Sequence, residues 1–154
     1  MSLERLLHTD RLRVDRHAVT YLVDANVLSE PTKRDPDQRV LQWLRAHESE
    51  LAVDPIIVGE LRFGILLLAR GRKRSALERW FDSGVQRLHC LAWDIDTGRR
   101  WAELLARLRA TGKSMPIKDS MIAATALLHD LTMVTRNRSD FAAAGVRIVN
   151  PFAG

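Results

Sequence analysis

The sequence is poor in cysteine, aromatic residues and long apolar runs, and each shortage excludes a class of protein. The lone cysteine, Cys90, cannot form an intramolecular disulfide, which favours a reducing compartment, the cytoplasm. We interpret Cys90 as a packed strand residue rather than as a nucleophile. No apolar run approaches the roughly 20 residues that cross a bilayer. Aromatic residues make up 6% of the chain, and they form no evident stacking platform for single-stranded bases.

Lysine is also scarce, so the net charge of +5 comes mainly from arginine. A guanidinium group binds two phosphate oxygens at once, which makes an anionic polymer such as nucleic acid a suitable partner. The chain has 154 residues, of which 46% are hydrophobic and 28% are charged. This size and composition indicate one folded domain with a substantial core.

The first residues differ in composition from the rest. Residues 1–19 mix charges of both signs and lack the apolar core of a signal peptide. We predict that they form an N-terminal extension, either flexible or produced by a misassigned start, before a single domain over residues 20–154. Translation from a GTG codon at Val19 would explain them. Mass spectrometry that finds a native N-terminus at Met1 or Ser2 would contradict this origin.

Short apolar segments alternate with segments of helical periodicity along the chain. The strand pattern covers residues 21–23, 51–53, 88–92, 131–135 and 146–149. The helical pattern covers residues 37–46, 56–68, 95–110, 116–128 and 140–143, and a further helix opens at residue 72. We expect the strongly apolar helix 56–68 to be buried. The alternation predicts an α/β protein with a mostly parallel sheet that helices cover on both faces.

Four acidic or amide residues stand near the ends of these elements: Asp24, Glu60, Asp119 and Asn137. Each has an ordinary structural explanation, since the two aspartates suit helix caps and Glu60 suits an ion pair with Arg62 or another arginine. Taken together they favour a different interpretation. Three carboxylates in one place repel each other unless a cation lies between them, and hard oxygen ligands suit Mg²⁺ or Mn²⁺.

The order and spacing of these motifs resemble those of the PIN-domain ribonucleases, and among them the VapC-type toxins of toxin–antitoxin pairs. The resemblance runs from Tyr21 to Phe152, and its three blocks are VDANVLSE, GELRFGI and PIKDSMIAATALLHDLTMVTRNRSDF with GVRIVNPF after it. It implies a compact three-layer α/β/α sandwich with four or five strands. It also implies a Mg²⁺-dependent endoribonuclease, with Mn²⁺ as a possible substitute.

The resemblance assigns the metal ligands to Asp24, Glu60 and Asp119, and the fourth catalytic position to Asn137. It assigns supporting roles to Asn26, which follows the first acid by two residues, and to Thr135, whose hydroxyl would support metal-bound water. The fourth position is often Asp in this family, and a hydroxyl residue commonly stands where this chain has Ala25. Asp140 is the alternative source of the fourth acid. We therefore expect one firmly held Mg²⁺ and a weak second ion.

In the predicted reaction the metal neutralises the scissile phosphate, acidifies a bound water and orients it for attack, and Glu60 or Asp119 accepts its proton. The resemblance favours products with a 5′-phosphate and a 3′-hydroxyl. Arg136 and Arg138 flank the predicted site and are candidates for RNA phosphate contact, whereas the basic residues 72–74 suit a solvated helix start. The resemblance also implies a cognate antitoxin and a toxin homodimer, with no membrane partner.

Three other functions remain open on the sequence. Ala25 and Asn137 fit a non-catalytic PIN-like domain that binds RNA or a partner, and metal-dependent cleavage distinguishes this from the enzyme. A phosphoacceptor receiver domain also carries acids at strand ends, but it requires a lysine after a late strand, where this chain has Arg136. A nuclease that acts on DNA is compatible as well, because the carboxylate chemistry does not read the sugar.

Overall fold

A five-stranded parallel sheet forms the centre of the protein. The computed structural model describes residues 19–153. The strands are β1 (Tyr21–Val23), β2 (Leu51–Val53), β3 (His89–Cys90), β4 (Thr132–Val134) and β5 (Ile148–Val149). Their order in the sheet is β3-β2-β1-β4-β5, and every neighbouring pair is parallel. The chain therefore adds strands on one side of β1 and then crosses to the other side, which brings β1 and β4 together.

Helices connect the strands within the described range and confirm the α/β class. They are α1 (Ala25–Leu28), α2 (Gln38–Ala46), α3 (Pro55–Leu66), α4 (Arg72–Ser83), α5 (Ile95–Ala110), α6 (Ile117–Leu128) and α7 (Arg138–Phe141), with short 3₁₀ turns between them. The predicted elements are present in their predicted order. The last strands are shorter than predicted: β3 and β5 have two residues each, because only those residues pair with a neighbouring strand.

Side-chain caps explain where several helices begin. The Asp37 carboxylate accepts a hydrogen bond from the Arg39 amide at the start of α2. Asp94 and Thr97 form a capping box at the start of α5, in which each side chain bonds the other residue's backbone amide. Such caps satisfy amide groups that have no partner within the helix.

The core lies on both sides of the sheet, and the central strands β1, β2 and β4 supply its buried strand residues. Leu22, Val23, Val53, Met133 and Val134 are fully buried. This is the pattern of strands in a parallel sheet that has no solvent-facing side. The packed core holds the carboxyl ends of β1 and β4 in place, so the polar residues that follow these strands start from a rigid backbone.

Two predictions about burial are wrong. Cys90 is exposed rather than packed, because β3 is the edge strand and ends at this residue. Helix α3 is only partly buried: Phe63 is 63% exposed and Leu66 is 48% exposed. The helix buries one side, including Ile57, Leu61 and Ile65, and the apolar residues of its other side face outward.

The predicted N-terminal extension, residues 1–19, lies outside the described residues except for Val19. Val19 is partly buried and packs against the core. The division into an extension and a domain over residues 20–154 stays a prediction. In the range 19–153, no helix has the length and apolar character needed to span a membrane.

Candidate active site

Asp24 occupies the point where the direction of strand addition reverses. It follows β1 directly, and its backbone amide donates to the carbonyl of Val134 at the end of β4 (2.9 Å). Its carboxylate is 5% exposed and accepts hydrogen bonds from the Ala25 amide (2.8 Å) and the Thr135 hydroxyl (2.7 Å). In parallel sheets, ligands bind beside the carboxyl ends of the strands at such a point. The fold therefore places Asp24 where a functional site is expected.

Thr135 and Asn26 both donate to Oδ2 of the Asp24 carboxylate. The buried Thr135 hydroxyl donates to the Asp24 carboxylate and accepts a hydrogen bond from the backbone amide of Asn137 (3.0 Å). The Asn26 amide lies 3.4 Å from Asp24 Oδ2 and 3.5 Å from Thr135 Oγ1, and its carbonyl oxygen accepts from the Arg136 amide (3.2 Å). These bonds join the loop after β1 to the loop after β4. Both predicted supporting residues thus contact the first acid.

Glu60 reaches the site from α3, and its ion-pair partner is a lysine rather than an arginine. Glu60 Oε2 lies 3.3 Å from Lys118 Nζ, whereas Arg62 is 4.0 Å from Glu78 instead. The other carboxylate oxygen, Oε1, is buried and has no hydrogen-bond partner. A buried carboxylate oxygen without a partner is costly, which indicates that this oxygen serves a ligand or a reaction.

Asp119 lies in the first turn of α6, next to Lys118. Two tryptophans that precede this helix in the chain donate hydrogen bonds to residues at its start. The Trp101 indole donates to the Ser120 hydroxyl (3.0 Å), and the Trp93 indole donates to the Met121 carbonyl (3.1 Å). Because both bonded residues follow Asp119 directly, these contacts hold the start of the helix that carries it.

The electrostatics show that the three acids share one environment. Burial raises the pKa of Asp24, Glu60 and Asp119, and the charge of Asp24 raises the pKa of the other two further. The charge of Asp119 also raises the pKa of Glu60. Mutual repulsion of this kind disappears when a cation enters. These mutual effects indicate that the three carboxylates lie within electrostatic range of one another, and their role as metal ligands stays a prediction.

The donor set suits a hard divalent cation, but it is not assembled as a finished cage. In residues 19–153, no three histidine, cysteine, aspartate or glutamate side chains are grouped so that they could hold a metal ion as they stand. The unpartnered Glu60 Oε1 and the repelling carboxylates nonetheless match what Mg²⁺ or Mn²⁺ requires of its ligands. Metal binding needs a local adjustment, and the Lys118 ion pair on Glu60 is the contact that would have to yield.

Asn137 and Asp140, the two candidates for the fourth position, differ in their surroundings. Asn137 is exposed, and its side chain makes no capping bond to α7. Asp140 is partly buried, and its charge raises the pKa of both Asp24 and Asp119. The Asp140 charge therefore acts directly on two of the three acids, Asp24 and Asp119. The hydrogen bond of Asn137 to Thr135 comes from its backbone amide and not from its side chain.

The two arginine candidates for RNA contact, Arg136 and Arg138, are both exposed beside the site. The Arg136 guanidinium lies 4.7 Å from the centre of the Phe152 ring, which orients it through a cation–π contact.

Sequence reasoning missed Asp54 and Lys118. Asp54 is 0% exposed, and its carboxylate accepts from the Ile57 amide (2.9 Å) and the Thr125 hydroxyl (2.7 Å). Its position, an acid directly after a buried strand, matches that of Asp24 and could have revealed it. Lys118 could have been noticed as a cation beside a predicted metal ligand.

A comparison with known protein families shows the family to which this chain belongs. The sequence profile of the PIN domain matches residues 21–146. The chain belongs to the PIN domain family. This PIN domain is similar to the VapC ribonuclease Y4jK of Sinorhizobium fredii, with 37% identity over 135 residues that cover 85% of this chain and 96% of the relative. It is 35% identical over 135 residues to toxin FitB of Neisseria gonorrhoeae, covering 85% of this chain and 97% of the relative.

Solved structures give the same result for the fold. The FitAB structure bound to an IR36 DNA fragment matches this PIN domain with a TM-score of 0.80 and 34% identity, covering 86% of this chain and 96% of that one. The solved structures that are similar to this chain also include toxin–antitoxin complexes. The predicted resemblance and the predicted α/β fold are both confirmed.

Proposed function

We propose that this PIN domain is the toxin of a toxin–antitoxin pair and acts as a Mg²⁺-dependent endoribonuclease. The observation that carries the proposal is the buried Asp24 carboxylate with Glu60 and Asp119 close enough for its charge to raise the pKa of both. A relative named as a VapC ribonuclease and another named as a toxin, each aligned over most of its length, support the activity and the biological role.

Asp24 and Asp119 would hold the cation, with Glu60 completing the ligand set. When bound, Mg²⁺ or Mn²⁺ supplies neutralisation of the scissile phosphate and acidification of an attacking water. Thr135 and Asn26 keep the Asp24 carboxylate in one orientation through the hydrogen bonds described above. Glu60 is a suitable proton acceptor, because its Oε1 has no hydrogen-bond partner and burial raises the pKa of its carboxyl group.

RNA is the proposed substrate, and arginine side chains are its proposed contacts. Arg136 and Arg138 stand beside the acids, where a guanidinium can bind a phosphate next to the cleaved bond. The net charge of +5 favours association with an anionic polymer. Water attack on the phosphorus, with departure of the 3′ oxygen, would leave a 5′-phosphate and a 3′-hydroxyl.

The proposed protein partners are a cognate antitoxin and a second copy of the chain. Toxin–antitoxin complexes among the similar structures support the antitoxin. The outward-facing Phe63 and Leu66 of α3 and Leu67 directly after it are 63%, 48% and 69% exposed, and an apolar group of this kind is typical of an interface. It supports the homodimer. We further propose that residues 20–154 form the single PIN domain.

Metal-dependent cleavage tests the enzyme directly. Purified protein should cut RNA with Mg²⁺ or Mn²⁺ and lose this activity in EDTA. Asp24→Asn and Asp119→Asn should each abolish cleavage while the circular dichroism spectrum stays unchanged, because they keep the shape of the side chain and remove the charge that binds the cation. The exposed Asp82 is the matched control, and Asp82→Asn should cut at the rate of the unmodified protein.

The competing function is a non-catalytic PIN-like domain that binds RNA or a partner. Its support is the exposed Asn137 at the fourth position and the lack of a preformed three-ligand group in residues 19–153. This alternative predicts RNA binding without cleavage at any metal concentration. Full cleavage by both Asp24→Asn and Asp119→Asn would instead move the reaction to other residues.

A further inference from the structure

Lys118 is a cation already present inside the acidic site. Its ammonium nitrogen lies 3.3 Å from Glu60 Oε2, and the two side chains are 55% and 22% exposed. Lys118 stands in the first turn of α6, directly before Asp119. In a chain whose positive charge is mostly arginine, a lysine holds this position. A lysine carries a compact charge on a flexible stem, so it can exchange partners more readily than an arginine fork.

The influence of Lys118 extends beyond Glu60. Burial raises the pKa of Asp24, Glu60 and Asp119, and the Lys118 charge opposes this rise at all three acids. Lys118 therefore stands electrostatically where a metal ion would: it offsets repulsion among the same carboxylates. It also holds one oxygen of Glu60 while the other oxygen, Oε1, is buried without a partner.

The same contact restricts Glu60 as a metal ligand. Glu60 cannot give both oxygens to a cation while the ammonium holds Oε2, and residues 19–153 contain no three acidic, histidine or cysteine side chains assembled for a metal. The ion pair is half exposed, and pairs of this kind are weak enough to break under competition. A competing cation can therefore displace the Lys118 ammonium from Glu60.

We propose that Lys118 is an internal counter-ion that holds Glu60 in the metal-free protein, yields it to the divalent cation, and then contacts the substrate phosphate. This inference rests on the proposed nuclease function and adds a residue to it. The released ammonium remains beside Asp119, at the edge of the site, where it can donate to a non-bridging phosphate oxygen. The positive charge then serves the acids before the metal arrives and the phosphate afterwards.

Replacing Lys118 should change metal binding and RNA binding in opposite directions. Lys118→Gln should bind Mn²⁺ more tightly, by up to about fivefold, because the competing cation is gone. In EDTA the same variant should melt at a lower temperature than the unmodified protein. Added Mn²⁺ should raise its melting temperature by a larger amount. In cleavage assays its KM for RNA should rise several-fold, because the phosphate loses a contact. Lys118→Arg keeps the charge and should stay near the unmodified protein in the EDTA melt.

Lys113 provides the matched control, since it is an exposed lysine outside any helix and five residues earlier in the chain. Lys113→Gln makes the same chemical change away from the acids. If Lys118→Gln and Lys113→Gln have equal Mn²⁺ affinities and equal EDTA melting temperatures, the counter-ion role is wrong. An unchanged KM in Lys118→Gln would remove the phosphate contact. If Lys118→Arg melts like Lys118→Gln in EDTA, charge is not the cause and the proposal fails.

These measurements separate the inference from the proposed function. Mn²⁺ titration and melting in EDTA require no RNA cleavage. A protein that never cuts RNA would overturn the nuclease proposal while the effects of Lys118→Gln on metal affinity and melting still test the counter-ion. Conversely, a normal nuclease whose metal affinity ignores Lys118 would overturn the counter-ion alone.

Discussion

At the scale of single residues, the site depends on how each acid is held. The Asp24 carboxylate has two donors at 2.7 and 2.8 Å, the Thr135 hydroxyl and the Ala25 amide, so it stays in place without a metal. Glu60 has one oxygen on Lys118 and one without a partner. The first acid is therefore prepared in advance, while the second must change its contacts.

The fourth position gives a test at this scale. We expect Asp140→Asn to weaken Mn²⁺ binding several-fold, because Asp140 contributes a negative charge that acts on both Asp24 and Asp119. Asn137→Asp should change the affinity less, since the Asn137 side chain is exposed and forms no capping bond. Mn²⁺ titration at constant ionic strength measures both. A large gain from Asn137→Asp, with no loss from Asp140→Asn, would return the fourth role to position 137.

At the scale of elements, Asp54 joins the helices that carry the second and third acids. It follows β2, caps α3 through the Ile57 amide, and accepts from the Thr125 hydroxyl of α6. Helix α3 bears Glu60, and α6 bears Asp119. One buried carboxylate thus sets the separation of two helices whose acids must reach the same cation.

Removing this link should affect stability and metal binding together. Asp54→Ala should lower the free energy of unfolding by about 2–4 kcal/mol, from a lost helix cap and a buried Thr125 hydroxyl without a partner. Urea denaturation measures this loss, and Mn²⁺ titration should show weaker binding. Asp54→Asn keeps an acceptor for Ile57 and should lose less.

Asp94 supplies the control for this link, because it caps α5, a helix without a predicted metal ligand. Asp94→Ala should reduce stability and leave Mn²⁺ affinity unchanged. If Asp54→Ala also leaves the affinity unchanged, its carboxylate is only a cap.

At the scale of the whole molecule, the acids divide into two groups with opposite effects on stability. Hydrogen bonds lower the pKa of Asp37, Glu78 and Asp94, so their contribution is lost on acidification below their unfolded values. Burial raises the pKa of four other acids, the site residues and their neighbour: Asp24, Asp54, Glu60 and Asp119. In the folded protein, the ionised carboxylates of this second group therefore oppose stability.

The metal-free protein should therefore lose stability as the pH rises from about 4, the unfolded value of these carboxyl groups, through their raised pKa values in the folded state. Over this interval the folded chain binds more protons than the unfolded chain, so each rise in pH favours unfolding. Melting temperatures in EDTA measure the decline. At pH 7, Mn²⁺ should restore stability, and Asp24→Asn combined with Asp119→Asn should flatten the decline. A melting temperature in EDTA that climbs steadily from pH 4.5 to pH 7 would contradict the raised pKa values.

Local features of the sequence predicted the elements closely. The strand at residues 51–53 and the helix at residues 95–110 have their predicted bounds, because apolar runs, caps and helix ends depend on neighbours a few residues away. Burial was predicted less well. The exposure of Cys90 and of one side of α3 depends on which strand is at the edge and which helix face meets the sheet, and no local pattern contains that information.

The sequence by itself determined the α/β class, the order of the elements, the family and the acidic residues, since their spacing and periodicity are properties of the chain. Only the tertiary structure decided how these residues meet. The bond from Thr135 to Asp24 spans 111 residues, and the bond from Thr125 to Asp54 spans 71. Such contacts arise when the chain crosses β1 and brings distant loops to one edge of the sheet, and the same crossing brings Lys118 to Glu60.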